Sequence, residues 1–136
     1  MERDVYFGRV KLHGEEDEET LIAALNYSSS LVELRRFEKV KSLLRRTTPV
    51  AQRVLGANHD HTLRMRSIYA RTLYINGGAT LDELREAVTT FEDVGRIARR
   101  VLGGAHPLTG VIKGELLKAR SKLRASEESR SVPRQE

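Results

Sequence analysis

The chain has 136 residues, a net charge of +5 and no cysteine. One domain's worth of chain can bury a modest core. The missing thiols exclude disulfides, thiolate metal sites and a cysteine nucleophile, and suit a reducing, cytoplasmic setting. Aromatics make up 5% of the residues and tryptophan is absent, so Leu, Val, Ile and Ala must build the interior. Charge is uneven: residues 1–19 hold seven acidic and three basic side chains, −4, which leaves +9 for residues 20–136. A basic balance favours acidic partners, whether peptide, nucleic acid or anionic surface. No run resembling a signal peptide or a membrane span occurs, so no membrane role is expected.

The first predicted helix covers about residues 3–13, with Val5, Tyr6, Phe7 and Val10 as its apolar side chains. No helix precedes it as a pairing partner. These residues should therefore pack on the next helices or mediate self-association, and the chain reads as a homo-oligomer or as part of a longer array. The helix ends in a phrase that then recurs. Arg53-Val54-Leu55-Gly56-Ala57-Asn58-His59-Asp60-His61-Thr62 reappears as Arg100-Val101-Leu102-Gly103-Gly104-Ala105-His106-Pro107-Leu108-Thr109. Lys11-Leu12-His13-Gly14, followed by Thr20, keeps the same frame. The glycines are 42 and 47 residues apart, a period typical of stacked helical hairpins that contact mainly their neighbours. At each junction glycine provides a left-handed helix cap. Asp17, Asn58 or Asp60 offers the next N-cap, and Pro107 suits a first helical turn.

From Thr20 to about Arg35, Thr20, Ala24, Tyr27, Ser28 and Leu31 form one stripe at three- and four-residue steps,. The matching stripes are Thr62, Arg66, Tyr69, Ala70 and Leu73, and then Thr109, Lys113, Leu116 and Leu117. Between them lie two longer helices. The first, Phe37 to Leu55, has Phe37, Val40, Leu44, Ala51 and Leu55 on its apolar side. The second, Leu84 to Leu102, has Leu84, Ala87, Phe91, Ala98 and Leu102. Thr80-Leu81-Asp82-Glu83 reads as a capping box. Pro49 and Gly95 are breakers at nearly the same register, and Pro49 should bend its helix. The extra residues of the second period fall in the turn around Asn76-Gly77-Gly78-Ala79. The reading is all-α with about six helices: a half repeat (1–14), units 15–56 and 57–103, a capping helix (104–125) and a disordered tail (126–136).

The phrase around Gly56, with Asn26-Tyr27 and then Arg36-Phe37-Glu38-Lys39-Val40, resembles tetratricopeptide (TPR) repeats of the kinesin-light-chain type. The resemblance spans roughly residues 3–125. Asp17-Glu18 and Asp60 depart from the family's His-Pro, and the long 77–81 turn is atypical. The resemblance implies a right-handed αα solenoid whose first helices line a concave groove for short peptides. Nothing resembles the coiled coil that precedes the repeats in true light chains, so no transport role is implied.

His59-Asp60-His61, with His13 and His106, invites a zinc reading. His59 and His106 occupy the same repeat position, however, so they are read as capping or inter-repeat hydrogen-bonding groups and no metal site is expected. The Gly77-Gly78 and Gly103-Gly104 pairs lack a phosphate-loop lysine and are read as turns. No nucleophile–base pair stands at a consistent spacing, so neither enzymatic activity nor a cofactor is expected. Arg35, Arg36, Arg45, Arg46, Arg96, Arg99 and Arg100 read as a solvated outer face. The expected function is a non-enzymatic scaffold that binds protein or peptide partners, with acidic ones favoured. The alternative is a basic helical-repeat module for nucleic acid, which the lack of interleaved aromatics weakens. The expected groove comprises Asn26, Ser30, Arg64, Ile68, Arg71, Thr72 and Lys118.

Overall fold

A computed structural model describes residues 1–131. They form six helices: α1 (Glu2–His13), α2 (Glu18–Glu33), α3 (Phe37–Val54), α4 (Asp60–Ile75), α5 (Leu81–Val101) and α6 (Pro107–Ser131). No strand occurs among the described residues, so the all-α expectation holds. Two compact units divide the chain, Met1–Thr72 and Leu73–Glu136. The division falls in the last turns of α4 rather than at a repeat glycine.

The junctions are built locally. Gly14, Gly56 and Gly103 have φ of 83°, 99° and 93°, a region that favours glycine. The N–H of Gly56 donates to the carbonyls of Ala51 and Gln52, and that of Gly103 to Ala98 and Arg99. His59 and His106 then cap the next helices in the same way. His59 Nδ1 accepts from the N–H of His61 and His106 Nδ1 from that of Leu108, each at 3.1 Å. Their carbonyls accept the first bonds of the helices, from Leu63 and Gly110. The recurring histidine is thus a helix cap. The first copy uses Asp17 instead, whose Oδ2 accepts from the N–H groups of Glu19 and Thr20. The capping box at Thr80 and Glu83 is formed in both directions.

One turn escaped the sequence pattern. α2 ends with Arg35 at φ 58°, its N–H donating to Val32 and that of Arg36 to Leu31. This is a Schellman closure with a non-glycine residue in the left-handed position, and the Arg35 guanidinium lies 5.6 Å from the centre of the Phe37 ring. α3 continues through Pro49 as one element.

In the first unit α2 packs on both α1 and α3. The core joins Tyr6 of α1, Leu21, Ala24, Leu25 and Leu31 of α2, Val40, Leu44 and Ala51 of α3, and Met65 of α4. Of the apolar residues on α1, Tyr6 is buried and Val10 packs partly on this core, while Val5 and Phe7 stay about half exposed. Tyr6 and Phe7 both contact the Tyr27 ring, at 6.0 and 6.3 Å between centroids. Burial pushes the Tyr6 hydroxyl above its ordinary range, with Arg46 pulling it down and Glu15 pushing it up.

In the second unit α5 packs on α6, with Leu84, Ala87, Phe91, Val94 and Ala98 buried on one and Leu108, Ile112 and Ala119 on the other. The stripe expected on the final helix is therefore corrected: Thr109 is buried, but Lys113 and Leu117 face solvent. The cause is a rotation of the buried row by about one residue, onto 108, 112 and 119. The tail expected from residue 126 is corrected in part. α6 continues to Ser131 because no glycine or proline interrupts 126–131, and Glu127 lies 3.9 Å from Arg85 of α5. Residues 132–136 of that tail lie outside the described residues.

Thr20, Thr62 and Thr109 share one repeat position and all are buried, yet only Thr109 uses its hydroxyl, donating to the Gly103 carbonyl at 2.8 Å. The hydroxyls of Thr20 and Thr62 have no hydrogen-bond partner among the described residues. Removing a buried unpaired hydroxyl with a shape-matched residue is neutral or favourable, whereas removing a bonded one loses about 1 kcal/mol. Urea titration of Thr62→Val should thus show stability unchanged or raised, and Thr109→Val lowered by about 1 kcal/mol. Equal losses at both sites would refute this assignment of the hydroxyls.

Candidate functional site

The capping box fixes the start of α5, and its buried row then sets which residues flank the core. Glu92, Gly95, Arg96 and Arg99 fall on the adjoining face at three- and four-residue steps,. On α6 the same spacing brings Thr109, Ile112, Lys113, Leu116 and Arg120 opposite them. These side chains enclose an open cleft of about 340 Å³, with Leu116 partly exposed at its base and Phe91 and Ile112 fully buried beneath. Gly95 permits the close approach of the two helices, since a Cβ there would lie 3.3 Å from Ile112 Cγ2.

The rim is basic. Arg96, Arg99, Lys113 and Arg120 stand against a single carboxylate, Glu92. Arg120 Nη2 spans the cleft to Glu92 Oε2 at 2.9 Å, and Arg96 Nη2 pairs with Asp93 Oδ1 at 2.7 Å. Arg99 and Lys113 are exposed and have no acidic partner among the described residues. Beyond the cleft, the Tyr74 hydroxyl donates to the Glu115 carboxylate, and Lys122 Nζ donates to the Tyr74 carbonyl at 2.9 Å. That arrangement ties the end of α4 to α6 within the second unit.

The groove residues expected from sequence fare unevenly. Asn26 and Arg71 are exposed, on α2 and α4. Ser30 is half-buried and lines a crevice with Met1, Tyr27 and Arg36. Arg64 is exposed but paired with Asp60, Nε to Oδ1 at 2.7 Å. Ile68 packs partly on the core of the first unit. Thr72 is a correction: it is fully buried, and its hydroxyl donates to the Ile68 carbonyl at 2.8 Å. The helical rotation that exposes Arg71 turns its neighbour inward. In the second unit Lys118 is exposed, with Nζ 3.9 Å from Glu115 Oε1.

Sequence reasoning placed Arg96 and Arg99 on a generic outer face and Lys113 and Leu116 in the core, so it missed the cleft. A signal was present. At the offset of 89 residues that lays Gly103 on Gly14, Arg96, Arg99, Lys113 and Arg120 fall on Phe7, Val10, Ala24 and Leu31. Four apolar positions of the first copy have become cationic in the last. No group of three or more His, Asp or Glu side chains is placed to hold a metal ion among the described residues, and none of the described helices is long and apolar enough to cross a membrane. In comparisons with family models, curated proteins and solved structures, nothing matched this chain.

Proposed function

We propose that this protein is a non-enzymatic scaffold of TPR-like helical hairpins that binds peptide segments of partner proteins. The observation that carries the reading is the recurring junction. Glycine at positive φ followed by a histidine cap occurs at 56–59 and 103–106 with the same hydrogen bonds. Repeated hairpins of this period serve binding far more often than chemistry. Asn26, Arg64 and Arg71 supply an exposed amide and two cations on α2 and α4 of the first unit, groups suited to an extended acidic peptide.

A peptide-array screen of the full chain and of an Arg64→Glu/Arg71→Glu variant tests this reading. Acidic hits should appear with the native chain and be lost in the variant at unchanged far-ultraviolet circular dichroism. Hits that survive the double reversal would move the peptide surface away from α2 and α4. An array without hits would count against the scaffold itself.

A further inference from the structure

We propose that the α5–α6 cleft is a second docking site, which takes an acidic amphipathic helix of a partner protein. The proposal shares with the scaffold reading only the premise that the ligand is a protein, since its residues lie on other helices.

The first observation is what packs beside the equivalent helix pair in the first unit. There α1 and α2 correspond to α5 and α6 by their place before and after a repeat glycine. α2 also packs on α3, and Val40 and Leu44 of α3 join Tyr6, Ala23, Ala24 and Leu31 in one core. Val10, Tyr27 and Leu43 pack around the same cluster. In the first unit a helix thus lies along α2 beside α1, sharing its core. In the second unit the corresponding positions are Gly95, Ile112, Lys113 and Arg120, with Arg99 and Leu116 beside them. Leu116 remains as a partly exposed apolar side chain over the fully buried Phe91 and Ile112, and the space above it is open.

The second observation is charge, which selects among helices. α3, which packs on α2 in the first unit, exposes Arg45 and Arg46 and would meet like charges on the basic rim. α1, with Glu2 and Asp4 against Arg3, Arg9 and Lys11, offers no acidic face either. A second copy of this chain therefore has no complementary helix among these two. A helix with Leu, Ile or Phe at three- and four-residue steps and Glu or Asp on either side would set its apolar edge on Leu116. Its carboxylates would then meet Arg99 and Lys113, the two cations of the rim without an acidic partner among the described residues. The partly exposed Leu116 at the base of the cleft favours this ligand over nucleic acid, whose phosphates would use the rim alone,.

The test uses the full chain and a fluorescein-labelled synthetic peptide. The peptide is a helical 18-mer with Leu along one edge and Glu along both flanks. The controls are the same peptide with every Glu replaced by Lys, and a labelled single-stranded oligonucleotide. By fluorescence anisotropy the Glu peptide should bind and the Lys peptide should not. Arg99→Glu/Lys113→Glu should weaken binding by at least about tenfold, because reversed rim charges both lose attraction and add repulsion. Lys113→Glu alone, on an exposed side chain, should give a smaller loss and serves as the reading if the double variant fails to fold. The Arg64→Glu/Arg71→Glu variant should bind the peptide as the native chain does. That separates failure of this cleft from failure of the α2–α4 groove. The proposal is overturned if the Glu peptide does not bind, or if charge reversal leaves its affinity unchanged. It is equally overturned if the oligonucleotide binds the rim more tightly with a steep dependence on salt, or if light scattering shows self-association through Arg99 and Lys113.

Discussion

Phe91→Ala should lower the stability of the folded chain by about 3–5 kcal/mol, the range for deleting a fully buried aromatic side chain. Phe91 is completely buried in a unit whose core otherwise consists mostly of aliphatic residues, and its ring meets Tyr74 edge-on at 5.9 Å and 67°. Truncation would leave a cavity beneath the α5–α6 cleft, since the same ring lies beneath its base. Gly95 and Ile112 already hold the two helices in close contact, so the backbone has little freedom to collapse into the void. Phe91→Leu keeps most of the volume and should lose under about 2 kcal/mol. Urea midpoints measure both effects, and amide exchange should place the loss in α5 and α6. A Phe91→Ala loss below about 1 kcal/mol would mean that the site relaxes or that water fills it.

At Gly14 the expected loss is about 1–3 kcal/mol for substitution by alanine, and its origin is purely backbone. Gly14 closes α1 with φ 83° and ψ 169°, its N–H donating to the Val10 carbonyl. A Cβ there would touch nothing within 4 Å, so steric crowding by neighbours is excluded as the cause. With ψ near 170° the residue lies outside the left-handed helical well, where asparagine finds relief. Gly14→Asn should therefore be as harmful as Gly14→Ala. Arg35 makes the contrast, because φ 58° is that well itself and a side chain is carried there. A semisynthetic chain with D-alanine at position 14 should match or exceed the native stability, because mirror-image chirality removes the strain. Thermal unfolding of the three chains decides it, and an unstable D-alanine form would show that the side chain rather than the backbone is at fault.

The features legible in the sequence are those built within a few residues. The glycine caps and the capping box at Thr80 each complete their hydrogen bonds inside one turn, so spacing alone exposes them. The cap of α4 was expected at Asn58 or Asp60 and is His59, whose recurrence at 106 the spacing did show. The inner stripes of α2 and α3 were legible in part: Ala24, Leu31, Val40, Leu44 and Ala51 are buried as read, whereas Leu21, Ala23 and Leu25, on a helix apolar over a wider arc, were missed. α6 was not: Leu116, Leu117, Ile112 and Leu108 allow two neighbouring stripes, and packing on α5 chooses between them. Thr72 failed for a related reason, since a threonine on a helix suits solvent or core equally once its hydroxyl can bond the carbonyl four residues back. Arg35 gave no sign because its left-handed turn is imposed by the closure of α2 onto α3 rather than by residue preference. The cleft was visible only by laying the last copy on the first, which requires comparing side-chain character across the repeat as well as finding its period.

The matching closures at Gly56 and Gly103 also make the segment 57–103 a natural cassette. The cap, turn and restart bonds at each end lie between residues close in sequence: Ala51 to Leu63 at one end, Ala98 to Gly110 at the other. Splicing a second copy of 57–103 after Gly103 would recreate the 103-to-57 boundary from parts that each exist already, with glycine leading into Ala57, Asn58 and His59. Lengthening by further copies of this two-helix segment is therefore open to this chain without inventing a new turn, for a genome through duplication and for an engineer through cloning.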